Sequence, residues 1–161
     1  MLLPAALYKD EIQRKFQERF YSGDMFFETG DIDNWVPDIS DCPDERDFQY
    51  AIVDPDGTLV GYICYRVDWY ASCAYNFGLM SFDKGNVLVG AAVKEIMERL
   101  MHEHKLHRIE WRVVDGNPAR RAYEAFCDRH HGYVHTMHDA IKDKHGQYHD
   151  FIVFELLDYF Y

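Results

Sequence analysis

Between Leu7 and Tyr21 the apolar positions Leu7, Ile12, Phe16 and Phe20 return at roughly helical spacing, with charged residues between them. A helix presents one face about every 3.6 residues, so this stretch predicts an amphipathic helix. The pattern is lost from Ser22 to Arg46, a segment rich in aspartate that contains Pro37 and Pro43. A short helix or a long surface loop is all it predicts. From Phe48 to Tyr70 two β-rich runs flank Asp54-Pro55-Asp56-Gly57. Proline presets φ and glycine accepts a positive one, so an antiparallel hairpin is expected, and Ala71 to Phe82 continues it as a third strand.

The period then changes. After a loop over Asp83 to Leu88 an amphipathic helix is expected from Val89 to about His104, followed by a strand in which Ile109, Trp111 and Val113 alternate with polar residues. Asn117 is placed to cap the next helix and Pro118 to occupy its first position, with Tyr123 and Phe126 on one face. Two final runs, from Tyr133 to Leu157, surround Asp143-Lys144-His145-Gly146-Gln147 and predict a closing hairpin. The order is helix, three strands, helix, strand, helix, two strands. A strand, crossing helix, strand unit needs a parallel pair joined right-handedly, so the expected fold is a mixed α/β sheet, mostly antiparallel with a central parallel pair and flanking helices. No repeat or linker interrupts it, and residues 1–161 are expected to form a single domain.

Composition narrows the function classes. The chain is 48% hydrophobic and 16% aromatic, ample for a core. Its 17 basic and 28 acidic side chains give a net charge of -11, which disfavours nucleic acid and anionic membrane as partners and weakly favours a cationic acceptor; the excess acid can equally serve solubility alone. Cys42, Cys64, Cys73 and Cys127 show no paired spacing, and the opening residues become charged too soon for a secretory signal. Reduced thiols and a cytoplasmic location are expected. No apolar run approaches the ~20 residues needed to cross a bilayer.

Gly90, Ala91 and Ala92 fall where the first turn of the fourth expected element's successor, the Val89 helix, should lie. The first backbone N–H groups of a helix lack partners and carry partial positive charge, so a phosphate can bind there if the side chains are small. Small residues that only let the helix press on the sheet explain the same pattern.

The element order and three short motifs resemble the GNAT superfamily of N-acetyltransferases over Phe48 to Leu157. In that family the loop at the helix start reads Gln or Arg, two residues, Gly, one residue, Gly or Ala, and binds the acetyl-CoA pyrophosphate. Val87-Leu88-Val89-Gly90-Ala91-Ala92 matches at Gly90 and Ala92, while Val87 stands at the polar position. The family strand ending in Asn and its following helix with a Tyr beside the cofactor thiol are similar to Arg108 to Phe126, at Asn117 and Tyr123. The family's Gly-aromatic step is matched by Gly132-Tyr133. The resemblance implies an acetyl-CoA-dependent N-acetyltransferase acting by direct attack of a small-molecule or peptide amine through a tetrahedral intermediate. It assigns CoA contacts to Leu79, Met80, Ser81 and Phe82 through backbone N–H groups, to Val87 through Ala92, and to Asn117 and Tyr123. Asn76 and Gly78 allow a bulge or splayed strand end beside those donors. Tyr123 would protonate the leaving thiolate, although a core tyrosine with a satisfied hydroxyl explains it too.

The base must accept a proton from an ammonium. Glu110 is the first candidate, because it projects opposite to Ile109 and Trp111 from a central strand; a salt bridge with Arg108 or Arg112 would account for it equally. Asp68 is second, and Trp69, Tyr70 and Tyr75 are candidate walls of a cationic pocket, or packed aromatics. The nine histidines show no zinc spacing: His102 and His104 diverge on a helix, His135 and His138 fall on opposite strand faces, and solvated surface histidines are expected with no metal. No serine sits at a strand-to-helix elbow, and Cys127 reads as a buried thiol. Two rivals remain beside the enzyme. One is a degenerate member of the same fold acting as a CoA-binding or interaction module, which Val87 keeps open. The other is a dimeric structural protein using aromatic surface near Trp35; a homodimer stays open in either case. Residues 1–47 are expected to shape the acceptor side, and 48–157 to carry the sheet and cofactor side.

Overall fold

Seven strands hydrogen-bond into one sheet in the order β1-β2-β3-β4-β5-β7-β6 in the computed structural model of the chain. The structure describes residues 1–21, 25–30, 36–42 and 44–158, without the side chain of Tyr21. The strands are β1 (Leu2–Pro4), β2 (Asp47–Val53), β3 (Leu59–Asp68), β4 (Cys73–Ser81), β5 (Arg108–Val114), β6 (Tyr133–Lys142) and β7 (Tyr148–Leu157). The helices are α1 (Lys9–Tyr21), α2 (Phe26–Thr29), α3 (Val87–Glu98) and α4 (Arg120–Arg129), and a π-turn over Arg99–Glu103 extends α3.

Local chemistry explains the connections. The Asp54 carboxylate accepts from the N–H groups of Asp56 and Thr58 at 2.9 and 2.8 Å, and Gly57 takes φ +86°, which closes the β2–β3 hairpin. All neighbouring strands run antiparallel except β4 and β5, the parallel pair joined through α3.

The sheet buries both faces. On one, α3 and α4 cover Ile52, Ile63, Tyr65, Ile109, Trp111 and Phe154, and Ile96 and Leu100 enter the same cluster. On the other, Ile12 and Phe16 of α1 pack on Ala51, Tyr62 and Met80. Each fully buried Ile or Phe of this kind contributes about 1.5–3 kcal/mol. A Cβ at Gly61 would meet Val89 Cγ2 at 3.2 Å and Met80 O at 3.0 Å, so glycine there lets α3 lie close to the strands.

Several expectations shift. β1 is an additional strand, paired with β2 from Leu2↔Ile52 to Pro4↔Tyr50; three residues are too short to display a period. The helix expected from Val89 begins at Val87, because the Asn86 side chain caps it by accepting from Leu88 N–H at 2.9 Å. Helix α4 begins at Arg120 and not at Pro118. Asn117 instead closes the preceding turn, its Oδ1 accepting from Ala119 N–H at 2.8 Å. The short-helix option for the Ser22–Arg46 stretch is met by α2, and the stretch around Trp35 lies partly outside the described residues, Trp35 itself included. Among the described residues no helix is long and apolar enough to cross a membrane, which says nothing of β-barrels.

Gly132, at the step into β6, is fixed by crowding. A Cβ there would stand 2.6 Å from Leu156 Cδ2, 2.7 Å from Glu155 O and 3.1 Å from Cys127 Sγ. Gly132→Ala is expected to cost about 1–3 kcal/mol in a urea melt, because backbone cannot yield as a side-chain tip would. An unchanged midpoint would contradict this packing.

Candidate active site

The site begins with a ladder that stops early. Strands β4 and β5 pair only at Cys73↔Arg108 and Ala74↔Ile109. Just beyond, the β3–β4 register shifts, with Cys64 opposite Gly78 but Arg66 opposite Tyr75, so β4 carries one extra residue. Asn76, inside this bulge, holds φ +55°, a left-handed conformation asparagine tolerates better than most residues. A bulge bends its strand, and β4 turns away from β5 at that point. The bulge expected from Asn76 and Gly78 is present.

The divergence opens a cavity of about 610 Å³ on the α2 face of the sheet. Tyr75, Asn76 and Phe77 line it from β4, Glu110 and Arg112 from β5, Phe151 from β7 and Glu28 from α2. Its walls therefore come from segments far apart in sequence.

Alternation along β5 sends Ile109, Trp111 and Val113 into the α3/α4 core and Glu110 and Arg112 to the opposite side. Glu110 Oε2 lies 3.4 Å from Arg108 Nη2, so the salt-bridge explanation of this residue also holds, with Arg108 as the partner. Arg108 further approaches Glu155 at 3.7 Å, and Glu155 meets His135 at 3.2 Å. The pairs are partly solvated and each contributes about 0–1 kcal/mol, which leaves the Glu110 carboxylate available to a ligand.

Tyr123 of α4 stands on the other face of β5. Its ring meets Trp111 edge-on at 6.0 Å and Phe154 at 5.8 Å. Burial raises its phenol pKa, so the hydroxyl keeps its proton at neutral pH. Trp111 Nε1 is buried in this core without a hydrogen-bond partner. Glu110 and Tyr123 thus project from opposite faces of the sheet, and Tyr123 packs in the α3/α4 core and is not among the residues lining the cavity.

The start of α3 is only partly as expected. Gly90 is exposed and a Cβ there would meet nothing within 4 Å, so packing does not require glycine. Ala91 is exposed as well, whereas Ala92 is 4% exposed and is small because it faces the sheet. Both alanines lie beyond the first turn, which spans residues 87–90. Val87 is 82% exposed and Leu88 is half-buried. Asn86 Nδ2 also donates to the Asp83 carboxylate at 3.1 Å. An anion that takes the Leu88 N–H must displace the Asn86 cap.

The four expected backbone donors of β4 divide into two pairs. Phe82 lies just past the strand and its N–H donates to Val60 O at 2.9 Å, so it is not free as expected. Antiparallel alternation puts Met80 on that same ladder with Tyr62, and turns Leu79 and Ser81 to the side where β4 has no ladder partner. Arg19 of α1 reaches Ser81 O there at 3.2 Å. Asn117 Nδ2 donates to Glu28 O at 3.4 Å, tying α4's approach to α2.

Other candidates do not converge on the cavity. Asp68 Oδ1 accepts from Tyr70 and Ala71 N–H at 3.0 Å each, which caps a turn, and Asp68 is not among the residues lining the cavity. Trp69 Nε1 donates to Glu45 O and Tyr70 is 95% exposed; of these aromatics only Tyr75 lines the cavity. Most of the histidines lie at the surface as expected, and His107, His135, His138 and the more buried His149 each also meet a carboxylate at 3.0–3.2 Å. Among the described residues no three His, Cys, Asp or Glu side chains converge as a metal site. Cys127 is fully buried, which pushes its thiol pKa up to about 11.

No family model and no curated protein matches the chain. Solved structures do. A spermidine/spermine N-acetyltransferase from Vibrio cholerae aligns with TM-score 0.60 over 71% of this chain and 67% of its own, at 15% identity. The spermidine N-acetyltransferase of the same organism in complex with CoA and spermine aligns with TM-score 0.62 over 72% and 68%, at 14% identity. A probable acetyltransferase aligns with TM-score 0.60 over 73% and 65%, at 20% identity. The chain has the GNAT fold. At this identity the likeness concerns the fold, and the GNAT sheet with its parallel pair and flanking helices agrees with the expected class.

Proposed function

We propose that this GNAT-fold chain is an acetyl-CoA-dependent N-acetyltransferase acting on a primary amine. The observation that carries the reading is the early end of the β4–β5 ladder, beside a cavity lined by Glu110. The solved neighbour holding CoA and spermine in the same fold supports it. Residues 48–157 carry most of the sheet and the cofactor side, and residues 1–47, which add β1 to the sheet, shape the acceptor side, where Glu28 of α2 lines the cavity.

The residues present fit acetyl-CoA. Gly90 leaves open space above the start of α3, and Leu79 and Ser81 turn backbone donors to the unpaired side of β4. Acetyl-CoA supplies the activated thioester carbonyl. In our reading Glu110 accepts the proton of the amine, which frees its lone pair to form the C–N bond. The Leu79 and Ser81 N–H groups hold the carbonyl oxygen as charge develops on it, without reorganisation. As the C–S bond breaks, Tyr123 would donate its hydroxyl proton to the sulfur; the second proton lost by the acylated nitrogen would restore the phenol, and Glu110 would release its proton to solvent.

A carboxylate at the start of α3 would repel pyrophosphate, and Gly90 has room for it. Gly90→Asp is therefore expected to weaken acetyl-CoA binding about tenfold or more while the circular dichroism and melting temperature hold; unchanged affinity would remove α3 from the cofactor site.

The second reading, a degenerate module without catalysis, is favoured by one feature: Asn86 already satisfies Leu88 N–H, beside Asp83 and the apolar Val87. Asn86→Ala separates the two. Losing the cap should cost about 1 kcal/mol of stability. If pyrophosphate takes the same N–H, acetyl-CoA affinity should rise by up to about fivefold, since the cap no longer competes. No change in affinity would favour the module.

A further inference from the structure

We infer that the acceptor is an amino acid, with its ammonium taken by Glu110 and its carboxylate by Arg112. The inference rests on the acetyl-transfer reading and deepens it. Glu110 and Arg112 sit two residues apart on one face of β5, and both line the cavity. The two arginines on this face are used differently. Arg108 is engaged by Glu110 at 3.4 Å and Glu155 at 3.7 Å. Among the described residues the Arg112 guanidinium has no hydrogen bond and no ion pair; it lies over the Phe151 ring, 4.9 Å from the centroid.

That placement is informative. In a chain with net charge -11, carboxylates are abundant, yet among the described residues none pairs with the Arg112 guanidinium, which lines this cavity. Stacking on Phe151 holds the guanidinium plane while leaving its edge N–H groups unused, and a planar fork of donors matches a carboxylate in two hydrogen bonds. Strand geometry sets Glu110 and Arg112 about 7 Å apart at the backbone, and they form no ion pair with each other. A short zwitterion spans that interval with a charge-assisted hydrogen bond at each end.

A polyamine suits the site less well. Glu28 and Glu110 would welcome its ammonium groups, but Arg112 would face them as a like charge with no compensating partner. The solved neighbour with spermine shares the fold at 14% identity, which does not carry the acceptor over.

The test compares free amino acids, the amino alcohols that lack their carboxylate, and spermidine as acceptors for the wild-type chain and Arg112→Gln with acetyl-CoA. We expect kcat/KM for amino acids at least about tenfold above the matched amino alcohols. In Arg112→Gln the KM for amino acids should rise about ten- to a hundredfold, and that for amino alcohols should stay within about twofold. A preference for spermidine, equal use of amino alcohols, or an equal loss on both classes would overturn the inference while leaving acetyl transfer intact. If no acceptor is turned over, calorimetric titration of the same amino acids into the CoA-saturated protein decides. Saturable binding that Arg112→Gln abolishes supports the inference, and its absence overturns it. Failure to bind acetyl-CoA at all is read separately and counts against the enzyme reading.

Discussion

Glu110→Gln should lower the rate of acetyl transfer about 10²–10⁴-fold at neutral pH with the melting temperature nearly unchanged. The two halves of this expectation have different origins. Glutamine keeps the shape and a hydrogen-bonding oxygen but cannot accept the amine proton. Stability should barely move, because the only ion pair lost is the partly solvated one to Arg108, about 0–1 kcal/mol. Steady-state rates at saturating acetyl-CoA, set beside a thermal melt, separate them. If the rate survives and only stability falls, Glu110 is a structural partner of Arg108 and the base lies elsewhere.

Trp111→Ala should be the most destabilising single change considered, about 3–5 kcal/mol. The indole is 7% exposed and is enclosed by Tyr123, Phe126 and Phe154, the last stacked at 5.2 Å. In a chain of this length that loss corresponds to roughly 6–20 °C in melting temperature. The same cavity would free the Tyr123 ring, whose edge contacts with Trp111 and Phe154 fix it on α4. Trp111→Phe should retain most of the packing and separate the two effects: activity near the parent with Phe but not Ala assigns the indole to positioning Tyr123. Any loss of acetyl-CoA affinity in Trp111→Phe would instead point to Nε1 as a ligand donor.

What the sequence disclosed follows from the range of each signal. The alternation of Ile109, Glu110, Trp111 and Arg112 is local and regular, so both the strand and the face carrying Glu110 could be read directly. The Asp54–Gly57 turn was equally legible, because its chemistry lies within five residues. The β1 strand was not, since a three-residue strand is defined by its partner β2 rather than by its own pattern. The start of α3 was placed two residues late because Asn86 follows Gly85 and looks like loop until its side chain is seen to cap Leu88.

The cavity was the least legible feature. Its walls join Glu28, Tyr75, Arg112 and Phe151, and no local spacing relates a residue of α2 to one of β7. Arg112 could be considered from sequence only as a partner for Glu110, whereas the fold gives that role to Arg108 and leaves Arg112 over Phe151. Asp68, Trp69 and Tyr70 look suited to an acceptor pocket by composition, but they lie at a turn capped by Asp68 Oδ1, away from the residues that line the cavity.

The central claim, that the open edge between β4 and β5 and the start of α3 form a cofactor site, is tested most directly by titrating the purified protein with acetyl-CoA while following melting temperature and binding heat. At about 100 times its dissociation constant the ligand should add roughly 2.7 kcal/mol to stability, in a saturable shift that inorganic phosphate does not reproduce. No shift and no heat at millimolar acetyl-CoA would contradict the account.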